Sequence, residues 1–446
     1  MPRIVVVSPP FFSHAQPLSV LGAALRAGGA DVRFACAPAF RETAVRAGLE
    51  FEPLTVTGNA NTGVAEATAQ AAAEAARLRA FLDATRAGAV PALLAQARHR
   101  RSDMLADPDG VYDALRDLDE RLRPDWYVVD QLSYPVTLAL HCLGVPYATY
   151  CPGHPTYVLS GGDALFGVPY DWPVAVRPEP RETAALRAVA RENDRAFTEL
   201  FAGFTRRRAP SAPPPGRAFA LTSPHAVVYA YPPLPWLPER PPGPRHLFAG
   251  HMAGPPPVPD AAWAARLAGL RAGAERIVLV ALGTFLSARD DVLRTVVSGL
   301  LGGPGDTAVV VAAGERAAAL GDLAGERCVV ARTVPQQALL PHVDAMVHHG
   351  GNNSFTECLR AGVPALVLPF SSDQFAVARD AERAGLGLVR DPNALTAAQL
   401  PAALDVLDAT VRPHVSVFAR ELRGRGPEWA AARLLETMTA RVTHDR

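Results

Sequence analysis

The stretch VPQQALLPHVDAMVHHGGNNSFTECLRAGVPALVLPFSSDQ, residues 334–374, contains the pattern that decides the fold. The apolar residues 345–347 predict a strand, Gly350 and Gly351 predict a tight turn, and residues 355–359 predict the helix that follows. A second apolar run, residues 365–370, repeats the strand pattern and leads to Asp373 and Gln374. Strand, glycine turn, helix and strand in this order predict an α/β domain with a parallel sheet.

The polar residues of this stretch favour the binding of a phosphate. We expect Asn353 and Ser354 to cap the helix, whose free backbone N–H groups and positive dipole end attract anions. His349 and the Ser354 hydroxyl would add hydrogen-bond donors. Asp373 and Gln374 lie at the carboxyl end of a predicted strand, where open α/β sheets bind ligands, and their oxygens suit sugar hydroxyls.

These residues and their spacing carry a resemblance to a known family. Pro335-Gln336, then His349-x-Gly351-x-Asn353-Ser354-x-x-Glu357, then Asp373-Gln374 resemble the nucleotide-sugar signature of the family 1 glycosyltransferases, the UDP-glycosyltransferase superfamily. A glycine turn that only links a strand to a helix would not explain Glu357, Asp373 and Gln374 together. The resemblance implies the GT-B fold, an α/β architecture in which two Rossmann-like parallel-sheet domains face each other across a cleft.

Two residues of the first half are similar to the family's catalytic pair. His14 follows the first predicted strand, in SPPFFSHAQP, and its loop matches the one that carries the family's catalytic histidine. The resemblance implies that His14 is the general base that deprotonates an acceptor hydroxyl, a task suited to a pKa near neutrality. Asp130 ends the strand pattern WYVVD and would orient His14 and stabilise its protonated form. Capping of the following helix is the alternative role for each residue.

The resemblance also assigns a donor site. Thr284 would contact the diphosphate, and Val334 would bind the base through its backbone, because Thr333 stands where plant members carry a stacking Trp. Glu357 would accept from both ribose hydroxyls, which favours UDP over dTDP because dTDP lacks the 2′-hydroxyl; its alternative role is to interact with the helix dipole. The predicted nucleotide-sugar residues are Thr284, Val334, Gln336, His349, Gly351, Asn353, Ser354, Glu357, Asp373 and Gln374.

The composition excludes several classes of function. The 446 residues carry 44 basic and 44 acidic side chains, so no net charge favours nucleic acid or an anionic membrane as a partner. All 44 basic residues are arginine, which excludes mechanisms that need a Schiff-base or P-loop lysine. No apolar run approaches the length of a membrane span, and residues 1–10 lack the pattern of a signal peptide. We expect a cytoplasmic protein, monomeric or homodimeric.

The sequence predicts neither a cofactor nor a metal ion, with the UDP-sugar as co-substrate. His348 and His349 are adjacent and so cannot share one helix face, and no D-x-D pair lies near the signature. The helix terminus would take the place of a cation. The cysteines are odd in number and lack C-x-x-C spacing, which favours neither a disulfide framework nor a zinc site: Cys36, Cys142, Cys151, Cys328 and Cys358.

Length and composition predict two domains, since 446 residues with 49% hydrophobic content can form two cores. Residues 1–235, which begin with a β-α-β pattern, would form the acceptor-binding domain, and the alanine-rich residues 64–97 within it predict a helix. Residues 236–260 are rich in proline and glycine and would form the interdomain linker. Residues 261–425 would bind the nucleotide sugar, and residues 426–446 would form a helix that crosses back.

Aromatic residues that follow strands or lie in loops of the first domain are consistent with a cleft for an apolar acceptor. Core packing is the alternative for each of them. Phe11, Phe12 and Tyr134 are the predicted acceptor-binding residues, and Tyr157, Phe166, Tyr170 and Trp172 share their pattern.

Together these features predict an inverting glycosyltransferase that moves a hexose from a UDP-α-sugar to a hydroxyl of a small apolar natural product. Two alternatives remain open. One is an antibiotic-tailoring glycosyltransferase that uses a dTDP-deoxysugar. The other is a catalytically silent homologue that activates a partner transferase, against which the presence of both His14 and Asp130 argues.

Overall fold

The computed structural model describes residues 1–57, 60–63, 72–105, 107–240, 242–303 and 307–442. Its first sheet contains seven strands, β1 (Arg3–Val7), β2 (Asp31–Cys36), β3 (Glu50–Pro53), β4 (Trp126–Asp130), β5 (Tyr147–Cys151), β6 (Ala226–Tyr229) and β7 (Arg245–Phe248). They are parallel and lie in the order β3-β2-β1-β4-β5-β6-β7. Strands β4 and β5 are buried along their whole length, as expected where helices cover both faces of a sheet.

Seven α-helices accompany this sheet in the described residues. They are α1 (Phe12–Ala27), α2 (Arg41–Arg46), α3 (Ala72–Ala87), α4 (Ala89–Met104), α5 (Pro108–Leu122), α6 (Tyr134–Leu143) and α7 (Pro180–Arg208). The helix predicted over residues 64–97 is divided, because Gly88 adopts a positive φ of 127° between α3 and α4. Residues 64–71 of that prediction lie outside the described residues.

The second sheet contains six strands, β8 (Arg276–Ala281), β9 (Thr307–Ala312), β10 (Cys328–Ala331), β11 (Ala345–His348), β12 (Ala365–Val367) and β13 (Leu388–Val389). They are also parallel, in the order β10-β9-β8-β11-β12-β13. Two parallel sheets with helices between their strands confirm the predicted α/β fold class.

Nine α-helices belong to the second half of the described chain. They are α8 (Ala261–Gly273), α9 (Gly283–Leu286), α10 (Asp290–Leu301), α11 (Gln336–Leu339), α12 (Asn352–Ala361), α13 (Gln374–Arg383), α14 (Leu400–Val406), α15 (Arg412–Glu421) and α16 (Pro427–Val442). The last helix returns to the first sheet's core, where Leu434 and Met438 pack in one cluster with Leu18 and Leu21 of α1.

The segment predicted as a linker, residues 236–260, contains a strand. Arg245–Phe248 forms β7, which pairs with β6 at the edge of the first sheet. Prolines flank this strand but do not interrupt it, and an edge strand needs hydrogen bonds on one side only. High proline content therefore obscured a short strand, while the domain boundaries themselves stay predictions.

Each sheet places functional loops at a point where the strand order reverses. In the first sheet β1 pairs with β4, so the loop after Val7 and the end of β4 at Asp130 lie side by side. In the second sheet β8 pairs with β11, which brings the turns after Ala281 and His348 together. Such reversal points at the carboxyl ends of strands form crevices for ligands.

In the part of the chain that the structure describes, no helix is both long and apolar enough to cross a bilayer.

Candidate active site

A cavity of about 1210 Å³ lies between the carboxyl edges of the two sheets. It is lined from one side by the loop after β1 and from the other by the turns after β8 and β11. All ten predicted nucleotide-sugar residues line it, together with His14, Phe11 and Phe12. The structure thus brings together in one cavity residues that lie far apart in the sequence.

His14 and Asp130 form a hydrogen-bonded pair beside this cavity. Helix α1 begins at Phe12, so His14 lies in its first turn rather than in the preceding loop as predicted. Its Nδ1 is 2.9 Å from Asp130 Oδ2, and the Asp130 carboxylate is fully buried. Asp130 Oδ1 also accepts from the Leu132 backbone N–H at 2.9 Å. The carboxylate therefore supports the local turn and holds the imidazole at the same time.

The protonation of His14 depends on this carboxylate. Burial acts to lower the pKa of His14, but the charge and hydrogen bond of Asp130, with a contribution from Asp373, outweigh it and raise the pKa above its usual value. With Nδ1–H bonded to Asp130, Nε2 carries the lone pair and has no partner among the described residues. Nε2, the nitrogen without a protein partner in the described residues, is thus the basic nitrogen of His14.

Three glycines around His349 have backbone angles or close contacts that leave no room for a side chain. Gly350 has a φ of 83°, which only glycine adopts without strain, and it makes the turn from β11 into α12. A Cβ atom on Gly351 would overlap the imidazole, and one on Gly283 would lie 2.6 Å from its Cε1. Two turns from neighbouring strands therefore enclose this histidine.

Asn353 and Ser354 do not cap helix α12, and the prediction that they do was wrong. The N-cap is Gly351, with no side-chain cap, because the helix begins at Asn352 and places both residues within its first turn. Ser354 Oγ instead accepts from Gln336 Nε2 at 3.3 Å, and Asn353 Nδ2 donates to the Ser13 carbonyl of α1 at 2.9 Å. The helix terminus still presents uncapped backbone N–H groups toward the cavity.

The Ser13 carbonyl is available because of a proline. Pro17 lies inside α1, four residues after Ser13, and has no N–H to donate to that carbonyl. The missing intrahelical bond is replaced by the bond from Asn353 of the second domain.

Glu357 already has partners from a neighbouring helix. Its Oε2 accepts from Gln336 Nε2 at 2.7 Å, and its Oε1 accepts from Gln337 Nε2 at 2.8 Å. Burial raises the pKa of Glu357, against the opposing effects of the two amides and of Arg360. A ribose would have to share these oxygens with the glutamines, for which each oxygen retains a second lone pair.

Asp373 and Gln374 line the cavity but are also held by protein groups. Asp373 Oδ2 accepts from the His154 backbone N–H at 2.7 Å, and burial raises the pKa of Asp373. Gln374 Oε1 accepts from the N–H groups of Phe370 and Ser371 at 2.9 and 3.0 Å. Gln374 therefore folds back on its own loop, which leaves Asp373 as the better placed of the two for a sugar hydroxyl.

His348 and His349 are neutral. Burial lowers the pKa of His349 to about 4, and burial together with His349 lowers the pKa of His348 to about 3. His348 lies in β11 and its Nδ1 accepts from the Gly350 N–H at 2.9 Å. Among the described residues no group of three or more His, Cys, Asp and Glu side chains is arranged to hold a metal ion.

Two of the three predicted acceptor residues line the cavity. Phe11 and Phe12 do so, and the Phe12 side chain is exposed. The assignment of Tyr134 was wrong, because its ring is fully buried between the sheet and α7, edge-on to Phe197 and Phe219. Of the other aromatics, Tyr157 lines the cavity, Phe166 and Trp172 are buried, and the Tyr170 hydroxyl bonds to Asp380.

Several residues at the domain interface were not predicted from the sequence. Asn61 Nδ2 donates to Thr284 Oγ1 at 3.1 Å, and Gln96 Nε2 donates to Ser372 Oγ at 2.7 Å. Asp380 of α13 accepts from His154 Nε2 at 2.9 Å, within a fully buried pair. Contacts that join residues hundreds of positions apart leave no local sequence signal.

The sequence is similar in part to that of known proteins. The family described as "Erythromycin biosynthesis protein CIII-like, C-terminal domain" matches residues 302–425. Demethyllactenocin mycarosyltransferase from Streptomyces fradiae is 31% identical over 162 residues, which are 36% of this chain and 35% of the relative. The uncharacterized UDP-glucosyltransferase YdhE from Bacillus subtilis (strain 168) is 32% identical over 136 residues, 29% of this chain and 33% of the relative. The matches span about a third of the length of these relatives.

The fold is similar to solved structures over nearly the whole chain. The glycotransferase of kitacinnamycin superimposes with a TM-score of 0.68 at 24% identity, covering 98% of this chain and 99% of that one. The glycosyltransferase VinC in complex with dTDP gives a TM-score of 0.65 at 20% identity, covering 98% and 100%. These likenesses confirm the GT-B architecture predicted from the sequence.

Proposed function

Because the chain belongs to the family 1 glycosyltransferases of the natural-product type, we propose that it transfers a hexose from a UDP-α-sugar to a hydroxyl group of a small apolar acceptor. The proposal rests on the pair His14–Asp130 more than on any other observation. This pair leaves the basic Nε2 of His14 open in the same cavity that receives the N-terminus of α12. A base for the acceptor and an anion site for the donor thus share one space.

The transfer would proceed as a single displacement. His14 Nε2 takes the proton of the acceptor hydroxyl while its oxygen bonds to the anomeric carbon, and the bond from that carbon to the phosphate oxygen breaks. Attack opposite the leaving nucleotide inverts the configuration, so an α-linked donor gives a β-linked product. The Asp130 carboxylate, 2.9 Å from Nδ1, stabilises the imidazolium that forms.

The leaving UDP would be stabilised without a metal ion. The uncapped N–H groups of α12 and its positive dipole end face the cavity, and the Thr284 hydroxyl lines the same wall. His349, neutral because burial lowers its pKa to about 4, can donate one N–H to a phosphate oxygen. These fixed donors supply the stabilisation that a cation supplies in other enzymes.

The test is transfer by the purified chain from UDP-glucose and, in parallel, from dTDP-glucose to a panel of phenolic and macrolactone alcohols. We expect a β-glucosylated product, detected by mass spectrometry and by the anomeric coupling in NMR, and an unchanged rate in EDTA. A strict requirement for Mg²⁺ or Mn²⁺ would contradict the metal-independent mechanism. Binding of both nucleotides without any transfer would favour the silent homologue that activates a partner.

A dTDP-deoxysugar is the second candidate donor, and Glu357 is the observation that favours it. Both Glu357 oxygens accept from glutamine amides without a ribose, so loss of the 2′-hydroxyl would not leave the carboxylate unpaired. One partial relative is a mycarosyltransferase, and VinC was crystallised with dTDP. The relative affinities for UDP and dTDP, measured by isothermal titration, distinguish the two donors.

A further inference from the structure

Asn61 connects the start of helix α1, whose first turn carries His14, to the opposite side of the cleft. Its backbone N–H donates to the Pro10 carbonyl at 2.9 Å, and its carbonyl accepts from the Phe12 N–H at 2.8 Å. Asn61 and Phe11 form an isolated parallel bridge at this point. The backbone of Asn61 is therefore fixed to the residues that immediately precede His14.

The side chain of Asn61 has a defined orientation. Its Oδ1 accepts from the Gly63 N–H at 3.0 Å, so the amide nitrogen must point the other way, where Nδ2 donates to Thr284 Oγ1 at 3.1 Å. Asn61 is only 1% exposed, and a buried amide with both ends bonded does not rotate freely. The Asn61 amide thus meets Thr284 as a donor and not as an acceptor.

This orientation determines what the Thr284 hydroxyl can do. A hydroxyl has one proton and two lone pairs, and one lone pair of Thr284 is already engaged by Asn61. The hydroxyl proton has no acceptor among the described residues, and Thr284 lines the cavity. Gly283, held at a φ of 76° beside the His349 ring, fixes the backbone that carries this hydroxyl. The proton is therefore available to an oxygen in the cavity.

We propose that Asn61 is a positioning residue that holds the Thr284 hydroxyl as a hydrogen-bond donor to the diphosphate of the nucleotide sugar. The same residue joins the start of α1 to Thr284, so the base His14 and the donor-binding threonine are placed relative to each other. This inference rests on the proposed glycosyl transfer. Its effect is on the departure of the nucleotide, because charge on the leaving diphosphate grows in the transition state.

A double-mutant cycle tests the coupling between Asn61 and Thr284. Thr284→Val should lower kcat with UDP-glucose by roughly tenfold to a hundredfold, the effect of one hydrogen bond to a charged group, and Asn61→Ala should lower it by about threefold to tenfold, the effect of one bond between neutral groups. The double variant should be no slower than Thr284→Val alone, because Asn61 acts through Thr284. Multiplied losses in the double variant would overturn the proposal.

The isosteric variant Asn61→Asp tests the direction of the hydrogen bond. The carboxylate can still accept from Gly63, but it cannot donate to Thr284, whose hydroxyl would then donate to it. UDP affinity, measured by isothermal titration, should fall more than in Asn61→Ala, since the hydroxyl is occupied and a negative charge is added. Equal or tighter UDP binding by Asn61→Asp would contradict the assigned orientation.

Thr85→Val is the matched control for a lost interdomain hydrogen bond. Thr85 Oγ1 accepts from Arg289 at 3.2 Å across the same interface, but Thr85 does not line the cavity. This variant should keep the wild-type kcat and UDP affinity, and a loss equal to that of Asn61→Ala would reduce the role of Asn61 to domain packing. Failure of the wild type to transfer glucose would overturn the proposed function instead, while failure to bind UDP would overturn both.

Discussion

Two histidines of this protein each lie 2.9 Å from an aspartate oxygen, yet the surroundings of the two pairs differ. In the pair His14–Asp130 the histidine side chain is 17% exposed and its free nitrogen faces the cavity. In the pair His154–Asp380 both side chains are fully buried. There Nδ1 of the histidine accepts from the Thr156 N–H at 3.2 Å, so Nε2 carries the proton that bonds to Asp380.

The difference shows that the distance between a histidine and a carboxylate does not identify a base. In His154 both ring nitrogens have protein partners. In His14 only Nδ1 has one among the described residues, so Nε2 keeps a lone pair for an incoming hydroxyl. Asp380 also accepts from Tyr231 at 2.9 Å, from Trp236 at 2.8 Å and from Tyr170. It belongs to α13 of the second domain, and its four donors belong to the loop after β5 and the segment after β6. The buried pair therefore joins the domains.

The largest effect is expected from His14→Ala. Removal of a general base typically lowers the rate by about 10² to 10⁴, so transfer should fall by that factor. UDP affinity should stay nearly unchanged, because the base contacts the acceptor rather than the nucleotide. Steady-state kinetics and UDP titration of the same preparation measure both quantities. Near-wild-type turnover of this variant with a hydroxyl acceptor would mean that His14 is not the general base, and the contrast with His154 would then carry no catalytic meaning.

Asp380→Asn should mainly reduce stability. Burial acts to raise the pKa of Asp380, but His154 and then Tyr170 and Trp236 outweigh it and lower the pKa, so the carboxylate is charged. An amide accepts through one oxygen only, so it loses the charge-assisted hydrogen bonds and leaves at least one of the four donors unpaired, which costs roughly 1 to 3 kcal/mol of unfolding free energy. Urea unfolding monitored by fluorescence measures this loss. An unchanged unfolding midpoint would mean that the buried pair His154–Asp380 does not stabilise the contact between the domains.

Asp130→Asn should change catalysis more than stability. An amide at this position can still accept from Leu132, but it no longer favours protonated His14. Because Asp130 raises the pKa of His14 and the base must be unprotonated, wild-type activity should fall as the pH drops through a value above 6.5. In the variant this acid limb should shift to lower pH, and turnover at the plateau should fall by about tenfold or more.

The pH dependence of kcat/KM measures both changes. Asp380→Asn serves as the control, since its acid limb should stay at the wild-type pH. A stability loss in Asp130→Asn with an unshifted limb would mean that Asp130 only supports the turn at Leu132.

The smallest effect is expected at Glu357, a partly buried carboxylate that is paired with amides rather than with a histidine. If it binds the ribose, the wild type should prefer UDP to dTDP by roughly tenfold or more, and Glu357→Ala should weaken UDP binding and reduce that preference. Titration of both nucleotides into both proteins gives the ratio. Equal affinities in the wild type would move the donor assignment to the dTDP-deoxysugar.

The sequence predicts the two sheets and the members of the cavity well, because their signals are local. Continuous apolar runs such as residues 345–347 are typical of buried parallel strands, and glycines after them mark turns. Strand order then places the ends of neighbouring strands together, as with β1 and β4. The residues of the glycine turn, including His349 and Gly351, therefore line the cavity as expected.

The roles that the sequence does not predict correctly depend on contacts between distant parts of the chain. Tyr134 opens an almost entirely apolar helix, so its sequence does not distinguish a cavity wall from a core. Asp380 lies in the run ARDAER, which is typical of an exposed helix, yet its donors come from residues 144 or more positions earlier in the chain. The Asn61 contact spans 223 positions. No local pattern encodes such partners.

Pro17 has a consequence for how the two halves of the molecule compete for one oxygen atom. A proline inside a helix is usually considered a defect that alanine would repair. Here alanine would supply an N–H group that bonds to the Ser13 carbonyl from within α1, so that Asn353 would have to share this acceptor. The helix would gain an internal bond while the hold of the second domain on the first turn, next to His14, became weaker. Local regularity and domain closure are therefore opposed at this position, and the proline resolves the conflict in favour of closure.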